Sequence, residues 1–156
     1  MRVNKMAPGQ NAELKAKLYN LQRQPLPFHP LILVFSTGRI STNECVPMAR
    51  EPMPAVGSPF SDEIVSVIKE GTRLNPSVHD GAIIFTRGKE EEEYRLSAWS
   101  MRIISKGIPD YTEPNVGSAH NSAQSLSLSP TVDLCAIISS AGVAMFEKGR
   151  ISRATP

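Results

Sequence analysis

Asp80-Gly81-Ala82 stands directly before the apolar run Ile83-Ile84-Phe85. A single carboxylate and a residue without a side chain therefore lie at the lip of what reads as a buried strand. A carboxylate in that position can hold a metal ion or a ribose hydroxyl, and the glycine beside it lets a ligand approach the backbone. Asp-Gly before a strand is also an ordinary turn pair, and alone it favours the turn. Further along, Gly117-Ser118 opens a short helical stretch. Exposed N–H groups at such a start suit an anion such as phosphate, with Ser118 as the cap.

The wider context raises the Asp-Gly pair above a turn. Phe60-Ser61-Asp62-Glu63-Ile64-Val65-Ser66-Val67-Ile68-Lys69-Glu70-Gly71 precedes it, followed by Asn75-Pro76-Ser77-Val78-His79-Asp80-Gly81-Ala82. Asn115-Val116-Gly117-Ser118-Ala119-His120-Asn121-Ser122-Ala123 comes next, then Pro130-Thr131-Val132-Asp133-Leu134-Cys135-Ala136-Ile137-Ile138-Ser139. In this order and spacing, from about Ser58 to Ile151, the chain resembles the diadenylate cyclase domain family, which condenses two ATP into cyclic di-AMP. The resemblance implies an α/β fold with a mixed central sheet flanked by helices. It implies a nucleotide site drawn from Asp80, Gly81, Ala82, Gly117, Ser118 and His120, with Asp80 as a weak metal ligand and Mg or Mn entering, if at all, with the nucleotide. His120 falls in the family's phosphate-binding loop, although a histidine at a helix start also bonds backbone. His79 is expected to orient the turn, and His29, between prolines, to be structural.

The departures carry as much information. Where the family has Arg-His-Arg, this chain has Ala119-His120-Asn121, and where it has Ser-Glu-Glu, this chain has Ser139-Ser140-Ala141. Arginine's planar fork makes bidentate bonds to phosphate that alanine and asparagine cannot replace. Each lost charged hydrogen bond forfeits roughly 1.5–3 kcal/mol, and two at a developing phosphoryl charge amount to about two to four orders of magnitude in rate. Loss of the acids weakens any divalent metal site, since hard cations want several oxygen ligands. The resemblance therefore points to a degenerate member, a non-catalytic nucleotide-sensing or interaction domain with a nucleotide, a cyclic dinucleotide or a protein as partner. The alternative is a diverged cyclase, active through Asp80, that draws its charge from Arg87, Arg95 or Arg102. Without catalysis, nothing requires two sites to meet face to face, so a monomer or a rearranged dimer is expected.

The elements that must position these groups follow from hydrophobic patterning. Residues 1–10 show no period and are expected to fray. From Asn11 as cap, Leu14, Leu18 and Leu21 recur at helical spacing. Pro25, Pro27 and Pro30 enforce an extended link into a strand from Leu31 to Phe35. The tract 46–59 holds Pro47, Pro52, Pro54, Gly57 and Pro59 and reads as a loop. Ser61 is expected to cap a helix that Gly71 stops. Strands are expected at Ala82 to Thr86, Tyr94 to Ile104, Asp133 to Ser139 and Val143 to Glu147, with a last short strand after Lys148-Gly149. A helix around 119–127 lies between them. Trp99 reads as core or contact surface, and Lys89-Glu90-Glu91-Glu92-Glu93 as a solvated loop.

At 156 residues, with 40% hydrophobic and 21% charged residues, the chain reads as one diadenylate cyclase-like domain over 1–156. A net charge of +2 argues against nucleic acid as a partner. No stretch has the length of a membrane span or the apolar core of a signal peptide, so a cytoplasmic protein without membrane contact is expected. Cys45 and Cys135 read as small buried hydrophobes.

Overall fold

The computed structural model describes residues 8–154. Among these residues, seven strands form one sheet in the order β2-β4-β3-β1-β5-β6-β7. They are β1 (Leu31–Thr37), β2 (Cys45–Pro47), β3 (Ala82–Arg87), β4 (Arg95–Ile103), β5 (Val132–Ser139), β6 (Gly142–Glu147) and β7 (Arg150–Ala154). Only β1 and β3 run parallel, and every other pair is antiparallel. The crossover that parallel pairing requires is made by α2 (Ile64–Leu74).

Both faces of the sheet are apolar. On one, Leu33 and Phe35 of β1 and Ile83 and Phe85 of β3 pack against Leu14, Leu18 and Leu21 of α1 (Pro8–Gln22) and Ile64, Val65 and Ile68 of α2. On the other, Val34, Ile84 and Cys135 meet Ala123 and Leu126 of α3 (Ser118–Leu126). The near-continuous apolar runs of the central strands follow from this double burial. The expected mixed sheet with helices on both sides is what the chain forms. Cys45 and Cys135 are free, buried thiols on the α3 side, and burial pushes the Cys45 thiol up to about 12.

Several local expectations need correction. Of residues 1–10, 1–7 lie outside the described residues, and α1 begins at Pro8, ahead of the expected start at Asn11. Proline is tolerated in a first helical turn, whose N–H groups lack acceptors anyway, and Asn11 lies inside the helix rather than capping it. Gly71 does not stop α2. A Cβ there would stand 2.5 Å from Trp99 Cη2, so glycine is what lets the indole lie on the helix. Ser61 accepts the Glu63 N–H at 3.3 Å in the turn ahead of α2, while the N-cap itself is Glu63. The cap of α3 is likewise Gly117, with Ser118 the first helical residue.

The Pro-rich tract begins as the edge strand β2 and continues as a strap laid along β4. The Trp99 indole Nε1 donates to the Ala55 carbonyl at 3.0 Å, the Gly57 N–H to Leu96 at 2.8 Å and the Met48 N–H to Ser100 at 3.1 Å. Prolines cannot donate to a ladder, which is why the pairing is intermittent. The strap carries Met48 and Arg50 to the start of β3.

Candidate functional site

Asn75 bonds the Ser77 N–H through its side chain and opens a short 3-10 turn, Pro76–His79. His79 Nδ1 donates to the Pro76 carbonyl at 2.9 Å, which fixes the turn from within. The turn delivers Asp80, then Gly81 at φ +91°, into β3. Opposite, β4 carries an extra residue: Ala82 pairs with Met101 and Ile84 with Ala98, so two steps on β3 face three on β4. Ser100 lies in this bulge, fully buried, at φ 52°. Its hydroxyl donates to the Asp80 carbonyl at 2.7 Å.

A Cβ on Gly81 would come within 2.7 Å of Met48 Cε and 2.9 Å of the Met101 carbonyl. The glycine therefore accommodates the strap and the bulge where the chain enters β3.

Asp80, Gly81 and Ala82 form one wall of an open cleft of about 480 Å³, within the roughly 300–1,000 Å³ of small-molecule sites. The far wall is the first turn of α3, with Ser118, Ala119 and Ser122, and the remaining lining includes Phe28, Ile32 and Met101. Ser118 is exposed, and no side chain caps α3, so the helix presents free N–H groups there.

Gly117 and His120 are elsewhere. Together with Ser139, Ala141 and Arg153 they line a separate depression of about 300 Å³ on the other side of Pro30 and Ala119. The His120 ring lies edge-on to Phe146, at 4.8 Å between centroids, and Nε2 is 3.5 Å from Glu113 Oε1. Glu113 is gripped by both terminal nitrogens of Arg153. Those hydrogen bonds hold its carboxyl below the usual range. Burial, the largest cause, lowers the His120 pKa, while Glu113 raises it and Arg153 lowers it. The site expected from the sequence thus divides: Asp80, Gly81, Ala82 and Ser118 share the cleft, whereas Gly117 and His120 do not line it.

The arginines divide too. Arg102 lines the cleft, exposed and without an ion-pair partner among the described residues. Arg95 pairs with Glu93. Arg87 is buried at the opposite end of β3, where its Nη2 stands 3.7 Å from Asp133 and its Cζ 4.3 Å from the Tyr94 ring centroid. His29, expected to be structural, lines the cleft. Arg50, absent from the sequence reading, reaches Asp80: Nη2 is 3.8 Å from Oδ2. An arginine in a proline-broken tract has no periodicity to place it, and only the strap's pairing with β4 shows where it goes.

These residues by themselves do not make a site for a divalent ion. Among the described residues Asp80 is the only carboxylate lining the cleft, a guanidinium already faces it, and no group of three His, Cys, Asp or Glu gathers around a metal position. Ions such as Mg need several oxygen ligands.

A mixed seven-stranded sheet, clad by helices on both faces and carrying an Asp-Gly-Ala turn opposite a helix start, defines a diadenylate cyclase-like α/β fold. Among solved structures, the chain is similar to a double mutant of DacA from Staphylococcus aureus, with a TM-score of 0.55 and 15% identity over 95% of this chain and 87% of that one. It is also similar to a hypothetical membrane spanning protein from Bacillus cereus, with a TM-score of 0.61 and 13% identity over 94% of this chain. It spans 64% of that protein's length. At these identities the likeness is one of fold. No family model and no curated protein matches the chain. Among the described residues, no helix is long and apolar enough to cross a membrane.

Proposed function

We propose that this chain is a degenerate, non-catalytic member of the diadenylate cyclase type that binds a nucleotide of low charge in the cleft between Asp80 and α3, as a cytoplasmic sensor or interaction domain. The observation that carries the reading is the pairing of Asp80 with the open start of α3 across one cleft, while Ala119 and Asn121 occupy the positions where the resembling family has arginines. Asp80 suits a ribose hydroxyl, and Ser118 with the N–H groups of the first turn suits one phosphate. Among the described residues, Arg102 is the only arginine or lysine lining the cleft. One guanidinium and a helix start do not balance a triphosphate, so AMP or a cyclic dinucleotide should bind better than ATP.

A thermal-shift panel of AMP, ADP, ATP and cyclic di-AMP tests the binding. A ligand at a hundred times its Kd adds about 2.7 kcal/mol to stability, and AMP or the cyclic dinucleotide should give the largest shift. Arg102, which has no ion-pair partner among the described residues, favours the second reading, an active diverged cyclase. Incubation with ATP and Mn or Mg decides between them. No product is expected, and cyclic dinucleotide formed at a rate that Asp80→Asn abolishes would establish the cyclase instead.

A further inference from the structure

We propose that Arg50 is the resident counter-charge of Asp80, standing behind the cleft in the place a divalent ion would take, so that an anionic ligand is received without metal. The ligand half of this inference rests on the nucleotide-binding reading; the state of Asp80 can be measured without any nucleotide.

Arg50 is held in place by groups other than Asp80. Its Nε donates to Ser100 Oγ at 3.1 Å and Nη1 to the Ala49 carbonyl at 3.0 Å, and Nη2 lies 3.8 Å from both Met48 Sδ and Asp80 Oδ2. Only 17% of its side chain is exposed, against 68% for Asp80. The guanidinium is the sheltered, hydrogen-bonded partner, and the carboxylate is the one that faces the cleft.

Ser100 joins the two. Its hydroxyl accepts from Arg50 and donates to the Asp80 carbonyl at 2.7 Å, and its own carbonyl accepts the Met48 N–H at 3.1 Å. A non-glycine residue at positive φ persists where its surroundings over-determine it, and this hydroxyl, bridging strap to turn, is such a constraint. Strap, bulge and turn are thereby set in one register, with a positive charge built in at ion-pair distance from Asp80. A cation arriving at Asp80 would meet that charge and find no second carboxylate. Arg102 is exposed, and among the described residues it has no ion-pair partner to fix it. Arg50 is therefore a positioning residue that acts through Asp80.

Mn2+ alone is the probe, titrated into the isotope-labelled full chain, with paramagnetic broadening of the Gly81 and Ala82 amide signals reporting occupancy at Asp80. In the parent these signals should respond no more than in Asp80→Asn, a comparison that requires no change at Arg50. In Arg50→Gln they should broaden about ten-fold more at equal Mn2+, and the double variant Arg50→Gln/Asp80→Asn should return to the parent response. Broadening in the parent that Asp80→Asn removes, or an Arg50→Gln chain as unresponsive as the parent, would overturn the proposal. Calorimetry with AMP separates it from the functional reading. AMP bound equally in EDTA and in Mn2+ supports both, and AMP bound only with Mn2+ overturns the role of Arg50 alone. No AMP binding, with the expected Mn2+ pattern, removes the nucleotide and leaves the assignment at Asp80 standing.

Discussion

His120 combines a partly buried ring, a carboxylate at 3.5 Å and an arginine that shares that carboxylate. Burial is the largest cause acting on it and holds its pKa below the ordinary 6.5. The unfolded chain therefore takes up the proton first. Stability contributed at this position is complete above about pH 6.5 and declines as the pH falls toward the folded value. Thermal midpoints taken between pH 7.5 and 5 should fall less steeply for His120→Gln than for the parent, and parallel slopes would contradict this account. Glu113, with a depressed pKa, loses its contribution only at more acid pH. The sequence marked His120 as notable by its type and its place after Gly117. It could not show which side of α3 the ring would take, because that depends on Phe146 of β6, far along the chain.

Among the elements, α2 and β4 meet where Gly71 faces the Trp99 indole. Gly71→Ala would drive a methyl into the ring and should destabilise the chain by about 1–3 kcal/mol, read from urea denaturation, despite alanine's better helix propensity. A neutral or stabilising result would mean that the indole moves freely. At the other end of the sheet, Asp133 accepts from Thr37 Oγ1 at 2.6 Å and from the Tyr94 hydroxyl at 2.7 Å, beside the buried Arg87. Asp133→Ala leaves that guanidinium buried without its counter-charge and should cost about 3–5 kcal/mol; a loss under 1 kcal/mol in the same denaturation experiment would show the network to be dispensable. Element types were legible because Leu31 to Phe35, Ala82 to Thr86 and Asp133 to Ser139 are apolar runs of strand length, and Leu14, Leu18 and Leu21 keep helical period. The bulge at Ser100 and the strap were not, since both arise from long-range pairing with no local period. Gly71 misled because a helix-ending glycine and a packing glycine look the same in sequence.

Across the whole molecule, the sheet order brings the start of β3 and the start of α3 to one end, although 36 residues lie between Asp80 and Gly117. The mixed sheet was legible from the alternation of apolar strands and helices, and the resemblance anticipated which segments would converge. What it did not anticipate is that Pro30 and Ala119 divide the convergence into two depressions, one keeping Asp80 and Ser118 and the other His120 and Ser139. The first of these is the cleft we propose for a nucleotide of low charge. Calorimetry with AMP and ATP on the parent, Ser118→Trp and His120→Ala is the test. The parent should bind AMP at least ten-fold more tightly than ATP, Ser118→Trp should abolish binding by filling the cleft, and His120→Ala should leave it within two-fold. ATP bound as tightly as AMP, or AMP binding that survives Ser118→Trp but is lost in His120→Ala, would contradict it.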